Sequence, residues 1–508
     1  MKVLRTFVTH DFLICLFLTV LAAIPRLVSL DTIPLGFHGD EAWTGLDALQ
    51  ILSHGLISPY VGSATGQPTG PLYLTAIIIK IFGPTIFSVR LSMAIFGIVT
   101  VSVFYILARL FFNKSVSFIL TLAFGFSLFH LHFSRLGFMV IASPLFTELT
   151  ILFLYLYEKK KHLLYFFSSA VALGTGMYSY NTFILFVGIV LAYVVAKSFT
   201  SSERIYRPTY LIMYISVFLI IAFPLVTLIV LKPNFYFGHH YTVSIFNSNK
   251  YLVAPLWEKI NIILQNSATK IFHFIFGGRP DGVDGYGAYH NLNVSYLVLF
   301  LIGILIVLRS KRAIYLLMGI STILIILLNS LTIDGDYRRN LLILPFIFII
   351  VGIAVQYIYS SFPIRKKHFI FLIMLGLVVI ESMINLYTYF YKMPSYNNTE
   401  FVFKPDQVET LLAAQKLLRT NEPVYFYSQI WSCQYETVRF LYGNRRCIDK
   451  SLEFTSTQAC SDITSPSTVV LLNGYTPLLS NLKTRYPQGW EKFVYNKSNS
   501  QVGIIFQL

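Results

Sequence analysis

Hydrophobic stretches of membrane-crossing length dominate the pattern along this chain. Apolar runs of about 17–23 residues recur between residues 11 and 391, and short polar loops separate them. Each run is long enough to cross a hydrocarbon layer of roughly 30 Å as an α-helix. The pattern predicts an all-α polytopic membrane domain over residues 1–391.

One apolar stretch, at residues 71–83, decides the topology. Its 13 residues reach only about 20 Å as a helix, which is short for a crossing. If it crossed, the basic clusters at 158–161, 197–207, 309–312 and 365–367 would all lie outside. If it lies along the outer face as an interfacial helix, all four clusters fall on the cytoplasmic side. We therefore predict a lying helix inside the first outer loop.

This choice gives about eleven crossings. Two long outer loops result, at 31–87 and 232–292. The predicted crossings are at residues 11–30, 88–111, 115–133, 138–157, 162–179, 181–197, 209–231, 293–308, 313–330, 340–359 and 369–391.

The tail from residue 392 has a different pattern. Residues 405–420 have helical periodicity, and short β-like stretches follow at 424–427, 468–472 and 502–508. We predict a small extracytoplasmic α/β domain at 392–508. The tail also holds the cysteines Cys433, Cys447 and Cys460, which allow one disulfide whose pairing the sequence does not decide.

Composition indicates a lipid environment and argues against nucleic acid as a partner. With 55% hydrophobic and 12% charged residues, the chain has more apolar surface than a soluble core hides. The net charge of +16 resembles that of a nucleic-acid-binding protein. However, the lysines and arginines lie mostly in short loops, where the positive-inside rule accounts for them. We expect membrane lipids and no nucleic acid as partners.

Two adjacent acids in the first outer loop are the leading catalytic candidates. Asp40 and Glu41 follow the first crossing in the sequence His38-Gly39-Asp40-Glu41-Ala42. A loop carboxylate beside the membrane can act as a general base or hold a divalent metal ion. A solvated acid pair is the alternative, and no metal ion is certain from the sequence.

Basic residues on the outer side are the second group of candidates. Arginine binds phosphate through a planar, permanently charged fork, so several arginines at one outer pocket point to a lipid-linked phosphate. The alternative is that these side chains reach the outer headgroups. The glycine-rich stretch 276–290 adds aspartate, histidine and tyrosine of the kind that contact sugars. The substrate-binding candidates are Arg135, Arg338, Arg339, Arg90, Lys80, Arg279 and Tyr73.

The order of these pieces resembles the polyprenyl-phosphate-sugar-dependent membrane glycosyltransferases of the GT-C fold, which include the protein O-mannosyltransferases and the lipid A aminoarabinose transferases. The resemblance rests on the His38–Ala42 motif, on Gly70-Pro71-Leu72-Tyr73, and on Ser88-Val89-Arg90-Leu91. Weaker support comes from the sequences around Arg135 and around Arg338-Arg339. The tail is not covered.

The resemblance implies a reaction. Asp40 would be the base that deprotonates an acceptor hydroxyl, and Arg135, Arg338 and Arg339 would bind the carrier phosphate. Transfer would be inverting and extracytoplasmic, and the protein would sit in the cytoplasmic (inner) membrane. The donor would be a polyprenyl-phosphate-linked sugar, and the acceptor a protein, lipid A or another glycan. One motif departs from the aminoarabinose transferases: their phosphate-binding lysine before the lying helix has no counterpart here, and Lys80 lies about ten residues further on.

Two other functions stay open. A secondary transporter or lipid flippase would use many helices and would explain the intramembrane acids Glu148 and Glu381. A polysaccharide polymerase or ligase would also use polyprenyl-linked sugars. The long first loop, the lying helix and the outer domain favour the transferase.

Overall fold

The structure is a computed structural model. It describes residues 10–200, 208–276, 293–310, 312–333, 337–395, 403–419, 422–453, 460, 462–472 and 474–508. The membrane part is helical as predicted. Its helices in chain order are α1 Phe12–Leu27, α2 Gly39–His54, α3 Gly70–Phe82, α4 Ile86–Phe111, α5 Lys114–Gly125, α6 Leu128–Ser134, α7 Ala142–Lys160, α8 Leu163–Gly176, α9 Phe183–Thr200, α10 Pro208–Leu231, α11 Pro233–Val243, α12 Asn249–Val253, α13 Leu256–Phe276, α14 Val294–Arg309, α15 Ala313–Asn329, α16 Leu344–Ser361 and α17 Ile364–Tyr387.

Each predicted crossing coincides with apolar helix. Among the described residues, five helices are long and apolar enough to cross a membrane, or six if one bent pair is counted as a single span. Shorter apolar helices of 10–17 residues occupy most of the other predicted crossings. The helical membrane class is therefore confirmed, and the number eleven stays a prediction.

Helix α4 runs between the two ends of the bundle. Near its start, Arg90 pairs with Glu41, and near its end Arg109 pairs with Asp11. The 19 helical steps from Arg90 to Arg109 span roughly 30 Å at the helical rise of about 1.5 Å per residue, close to the thickness of a hydrocarbon layer. We call the end at Arg90 the site end and the end at Arg109 the far end.

Helix α3 stays at the site end. Its first residue, Gly70, donates its backbone N–H to the carbonyl of Tyr178 at 3.1 Å, in the turn that precedes α9. Its last turn leads through Gly83 directly into the start of α4. Both ends of α3 therefore lie on one side of the bundle, as the interfacial-helix prediction requires.

The predicted crossing at 115–133 is not one continuous helix. It consists of α5 and α6, which meet at an angle of 55°. The backbone carbonyls freed at the bend are bound by buried side chains: Arg26 Nη2 donates to Gly125 O at 2.8 Å, and Asn385 Nδ2 donates to Phe126 O at 3.0 Å. Such compensation is what permits a broken helix at membrane depth. Because these partners lie about 100 and 260 residues away in the chain, periodicity alone gave no sign of the bend.

The described part of the large outer loop contains α11, α12 and α13. Asn266, on one face of α13, donates to the carbonyls of Ser330 and Thr332 at 2.7 and 3.0 Å. Another face exposes the apolar side chains of Leu256, Trp257, Ile260 and Leu264. An exposed apolar row of this kind is typical of a helix that lies at a membrane surface.

The tail forms the predicted small α/β domain. Its strands are β3 Val424–Tyr427, β4 Cys447–Asp449, β5 Thr468–Leu472, β6 Trp490–Tyr495 and β7 Gln501–Gln507, and its main helices are α18 Pro405–Gln415, α19 Glu436–Tyr442 and α20 Leu478–Arg485. The short pair β1 Tyr60–Val61 and β2 Gln67–Pro68 belongs to the first outer loop.

The sheet of this domain has the order β4-β3-β5-β7-β6. Strand β3 is parallel to β4 and β5, whereas β7 is antiparallel to β5 and β6. A disulfide joins Cys433 to Cys447, which decides the pairing that the sequence left open. It ties the loop before α19 to the edge strand β4.

Candidate active site

The start of α2 positions the two adjacent acids. His38 caps this helix: its Nδ1 accepts from the Asp40 backbone N–H at 3.0 Å, and its own backbone N–H donates to Glu41 Oε2 at 3.1 Å. This reciprocal capping box fixes the first turn. Successive helical residues point in different directions, so Asp40 and Glu41 have different surroundings.

Glu41 is fully buried in an ion pair with Arg90. Arg90 Nε and Nη2 donate to its two oxygens at 2.9 and 3.1 Å, and the Gly137 backbone N–H donates to Oε1 at 2.8 Å. Arg90 also donates to the carbonyls of Leu30, Pro34 and Gly36. Protein groups therefore occupy both oxygens of Glu41 and the guanidinium of Arg90, which favours a structural role for both; the expected catalytic role of Glu41 and binding role of Arg90 stay predictions.

Asp40 lines a cavity and lies close to Arg338. The side chain of Asp40 is 34% exposed, and its Oδ2 lies 3.5 Å from Arg338 Nη1. The guanidinium of Arg338 lies over the ring of Phe138, 5.3 Å from its centroid. The two residues are 298 positions apart in the chain, and both line one small cavity together with Gln67 and Asn181. Of the predicted residues, these two come together at a cavity.

Arg135 lies away from this cavity. It is fully buried, and its guanidinium donates to the carbonyls of Pro25, Ser29 and Ile33. It also lies over the ring of Phe390, 4.9 Å from the centroid. Arg135 therefore binds the end of α1 and the chain segment that follows it, and its predicted contact with phosphate stays a prediction.

The other predicted binding residues are dispersed. Lys80 is exposed near the end of α3. The Tyr73 hydroxyl accepts from the backbone N–H of Ile57 at 3.4 Å, within the first outer loop. Arg279 and the glycine-rich stretch from residue 277 onward lie outside the described residues. These three positions keep the status of predictions.

A larger cavity of mixed lining adjoins the Asp40 cavity. It has a volume of about 320 Å³, and Arg339 and His240 line it. The two cavities share Tyr180, Asn181 and His239. Burial lowers the pKa of His240 to about 4, and the neighbouring Arg339 adds to the effect. His240 is therefore neutral near pH 7, and Arg339 supplies positive charge to this cavity.

An apolar groove continues from the Arg339 cavity. It has a volume of about 690 Å³ and runs between α9 and α15, and it shares Ile184 and Leu185 with the Arg339 cavity. Its lining is almost wholly apolar, with Gly188, Ala192 and Leu316 among the contributors. Three spaces therefore adjoin in order: the Asp40 cavity, the Arg339 cavity and the groove.

Sequence reasoning missed Asp47, which shapes the rim of the Asp40 cavity. Its Oδ2 accepts hydrogen bonds from Ser63 and from Gln67 Nε2, the latter at 3.3 Å. These bonds hold the turn at 63–67, part of which lines the cavity. Burial raises the pKa of Asp47, although both hydrogen bonds and Arg439 oppose this effect. A signal existed in the sequence, because Asp40, Thr44 and Asp47 have the spacing of one helical face.

The acid pair does not form a two-carboxylate metal site, because protein donors occupy both oxygens of Glu41. Within the described residues, no group of three or more His, Cys, Asp or Glu side chains converges. The residues therefore do not fit the divalent ion that the sequence left open at Asp40 and Glu41.

Comparison with known proteins places the fold. The family model of dolichyl-phosphate-mannose-protein mannosyltransferases matches residues 66–227. No curated protein matches the chain in sequence. Two crystal structures of ArnT from Cupriavidus metallidurans are similar to this chain over 97% of its length. The structure in the apo state has 13% identity and a TM-score of 0.56, and the structure bound to undecaprenyl phosphate has 12% identity and a TM-score of 0.59. The alignment covers 97% and 98% of those chains. The archaeal oligosaccharyltransferase AglB from Archaeoglobus fulgidus gives a TM-score of 0.48 at 12% identity, over 98% of this chain and 74% of that one.

The likeness to ArnT extends over nearly the whole chain, including the tail that the sequence resemblance left uncovered. The GT-C fold expected from the sequence is therefore confirmed.

Proposed function

We propose that this protein is an inverting membrane glycosyltransferase that moves a sugar from a polyprenyl-phosphate carrier to an acceptor hydroxyl on the extracytoplasmic face. The observation that carries the proposal is the succession of three adjoining spaces: the cavity with Asp40 and Arg338, the cavity with Arg339 and His240, and the apolar groove. Those spaces match, in order, the sugar, the phosphate and the isoprenoid tail of such a donor. The fold shared with ArnT, one of whose structures holds undecaprenyl phosphate, supports the same function.

The phosphate would lie nearest to Arg339 and His240. Arg339 offers permanent charge and bidentate geometry for a phosphate. His240 is neutral and adds a hydrogen-bonding ring nitrogen: its buried Nε2 has no partner among the described residues. The donor sugar would then occupy the adjoining cavity, between the phosphate and Asp40.

In the proposed reaction, Asp40 removes the proton of the acceptor hydroxyl as the oxygen attacks the anomeric carbon from the side opposite the phosphate. The bond between that carbon and the phosphate oxygen breaks, and the electron pair leaves with the polyprenyl phosphate. The configuration inverts because this single displacement occurs on the face opposite the leaving phosphate, and the proton of the acceptor hydroxyl ends on Asp40. Positive charge from Arg338 and Arg339 would stabilise the negative charge that develops on the leaving phosphate.

The distribution of basic residues supports an extracytoplasmic site. Arg109 lies at the far end of α4, and the cluster 158–161 ends α7, which begins near the Asp40 cavity. Under the positive-inside rule, the end with basic clusters faces the cytoplasm, so the site end faces outward. In a bacterial cell this corresponds to the cytoplasmic (inner) membrane.

Substitution of Asp40 by Asn tests the function. The full-length protein in proteoliposomes would receive a fluorescent polyprenyl-phosphate sugar, and release of polyprenyl phosphate would be measured. We expect the rate to fall by about 10²- to 10⁴-fold, the usual contribution of a general base. Asp31→Asn is the matched control, because Asp31 is an exposed acid in the same loop. Normal donor consumption by Asp40→Asn would refute the assignment.

A lipid flippase or secondary transporter is the second candidate, and the apolar groove favours it, since such a groove also suits lipid passage. A flippase would move the fluorescent donor across the vesicle without cleaving it, and Asp40→Asn would not abolish that movement. A polymerase or ligase would cleave the donor through a different residue, so it too would keep its activity in this variant.

A further inference from the structure

The C-terminal domain packs directly onto the helix that begins beside Asp40. Helix α19 lies against α2: the Phe440 ring is 5.5 Å from the Phe37 ring, and the Arg439 guanidinium is 5.4 Å from the centroid of the Trp43 ring. The Phe37 backbone N–H also donates to the Phe403 carbonyl at 3.0 Å. The tail domain therefore contacts the helix that carries Asp40 and the residues just before it.

Glu436, the first residue of α19, lies against the residue before Asp40. A methyl group added at Gly39 would come within 2.1 Å of Glu436 Oε1, so the Glu436 carboxylate lies directly against Gly39. Glu436 is half-buried, and it has no ion pair in the described part of the chain. A second carboxylate with unused acceptor capacity thus lies next to the proposed base.

An aromatic pair adjoins this carboxylate. The Tyr435 ring stacks on Trp431, with centroids 4.8 Å apart and planes 15° from parallel. Burial, together with the Glu436 carboxylate, raises the pKa of Tyr435 to about 12, and the charge of Asp40 also acts on it. Tyr435 is partly exposed and keeps its phenolic proton near pH 7, so it presents a ring face and a hydroxyl near Asp40.

We propose that Glu436 and Tyr435 bind the acceptor on the C-terminal-domain side of Asp40, and that the acceptor is a sugar with neighbouring hydroxyls. A carboxylate accepts hydrogen bonds from two adjacent hydroxyls, and the face of an aromatic ring packs against the C–H face of a sugar. Arg338 lines the cavity that the proposed function gives to the donor sugar, and Arg339 lines the adjoining cavity for its phosphate, which leaves the anionic residues Asp40 and Glu436 for the acceptor. An acceptor with phosphate next to the attacking hydroxyl is disfavoured, because Asp40 and Glu436 would repel it.

This inference rests on the proposed function, and its test separates the two. The reconstituted full-length protein would receive the fluorescent polyprenyl-phosphate sugar with methyl hexopyranosides of gluco, manno and galacto configuration, or with a serine-containing peptide, as probes. Hydrolysis of the donor by water is measured in parallel. Loss of both transfer and hydrolysis in Asp40→Asn would support the proposed function, and this result does not depend on the role of Glu436.

For Glu436→Gln we expect the KM for the accepted hexoside to rise about 10-fold or more, because hydrogen bonds to charged groups are worth about 1.5–3 kcal/mol. The value of kcat should change much less. Glu436→Asp should recover part of the affinity, and Tyr435→Phe should give a smaller rise in KM. Glu409→Gln, an exposed acid of the same domain, is the control, and thermal melting confirms that each variant folds.

Two results would overturn the proposal. One is an unchanged acceptor KM in Glu436→Gln and Tyr435→Phe while Asp40→Asn is inactive. The other is transfer to the serine peptide in preference to every hexoside, with mass spectrometry of envelope glycoconjugates showing a sugar–serine linkage in cells. A sugar–sugar linkage that is lost in Asp40→Asn cells would support it.

Discussion

Replacement of Glu41 by Gln separates a structural acid from a catalytic one. The substitution keeps the size of the side chain but removes its charge beside Arg90, where both side chains are completely buried. One carboxylate oxygen becomes an NH₂ group, which faces donors instead of accepting from them. Removing one partner of a buried ion pair costs about 3–5 kcal/mol, because the other charge stays buried without compensation.

This loss of stability lowers the thermal unfolding midpoint by a measurable amount. With an unfolding entropy of about 2.1 cal/mol/K per residue over 508 residues, a loss of about 4 kcal/mol lowers the midpoint by about 4 °C. The assay is thermal unfolding of the purified protein in nanodiscs, followed by tryptophan fluorescence. Asp40→Asn is the comparison: Asp40 is partly exposed, and an exposed pair such as Asp40–Arg338 contributes only about 0–1 kcal/mol.

We therefore expect opposite outcomes for the two neighbours. Glu41→Gln should melt earlier and, once folded, retain much of its transfer activity, whereas Asp40→Asn should melt normally and be inactive. A Glu41→Gln protein that melts like the wild type and has lost transfer to the same extent as Asp40→Asn would refute the structural role.

Three further predictions follow from the site. Arg338→Gln should lower the rate of transfer by about 10²- to 10³-fold, the usual effect of removing one stabilising donor, measured as polyprenyl phosphate release; a normal rate would exclude its role. Gly188→Trp should fill the groove and raise the donor KM, whereas Gly376→Trp should not: a Cβ meets nothing within 4 Å at either glycine, but only Gly188 lines the groove. Asp47→Asn should raise the melting midpoint at pH 7. Burial raises the pKa of Asp47 in the folded protein above its ordinary value of 3.8. The protonated side chain therefore favours the folded state, and this stabilisation is fully present below pH 3.8 and is lost as pH rises through the folded pKa. The difference from wild type should therefore vanish near pH 3.8, and a difference independent of pH would contradict the burial argument.

Local patterns in the sequence predicted most of the helices but not which polar residues meet. The apolar runs and the short length of 71–83 depend on lipid solvation and helix rise, which are local properties. In the tail, the stretch 468–472 was predicted with the bounds of β5, whereas β4 and β6 were missed. Strand β4 has only three residues, and β6 is mostly exposed, so neither has a clear alternation of apolar residues.

The candidate site needed tertiary information. Asp40 and Glu41 are adjacent, and either could have faced the cavity. The spacing from His38 to Glu41 is that of a capping box, but histidine is not among the usual capping residues, so this signal was easy to overlook. Arg90, Arg135 and Arg338 looked alike in the sequence as outer arginines. In the structure they differ: Arg90 and Arg135 donate to backbone carbonyls, whereas Arg338 contacts Asp40.

The two buried arginines bind one stretch of chain, from the end of α1 to the start of α2. Arg90 donates to the carbonyls of Leu30, Pro34 and Gly36, and Arg135 to those of Pro25, Ser29 and Ile33. A segment without regular hydrogen bonding is thereby fixed from both sides at the point where it delivers His38 and Asp40 to the cavity. A general base needs a fixed position relative to the reacting atoms, and buried donors bound to its supporting backbone provide that without entering the cavity. In the proposed mechanism, Arg90 and Arg135 would thus support the base, whereas Arg338 and Arg339 line the two adjoining cavities in the described part of the chain.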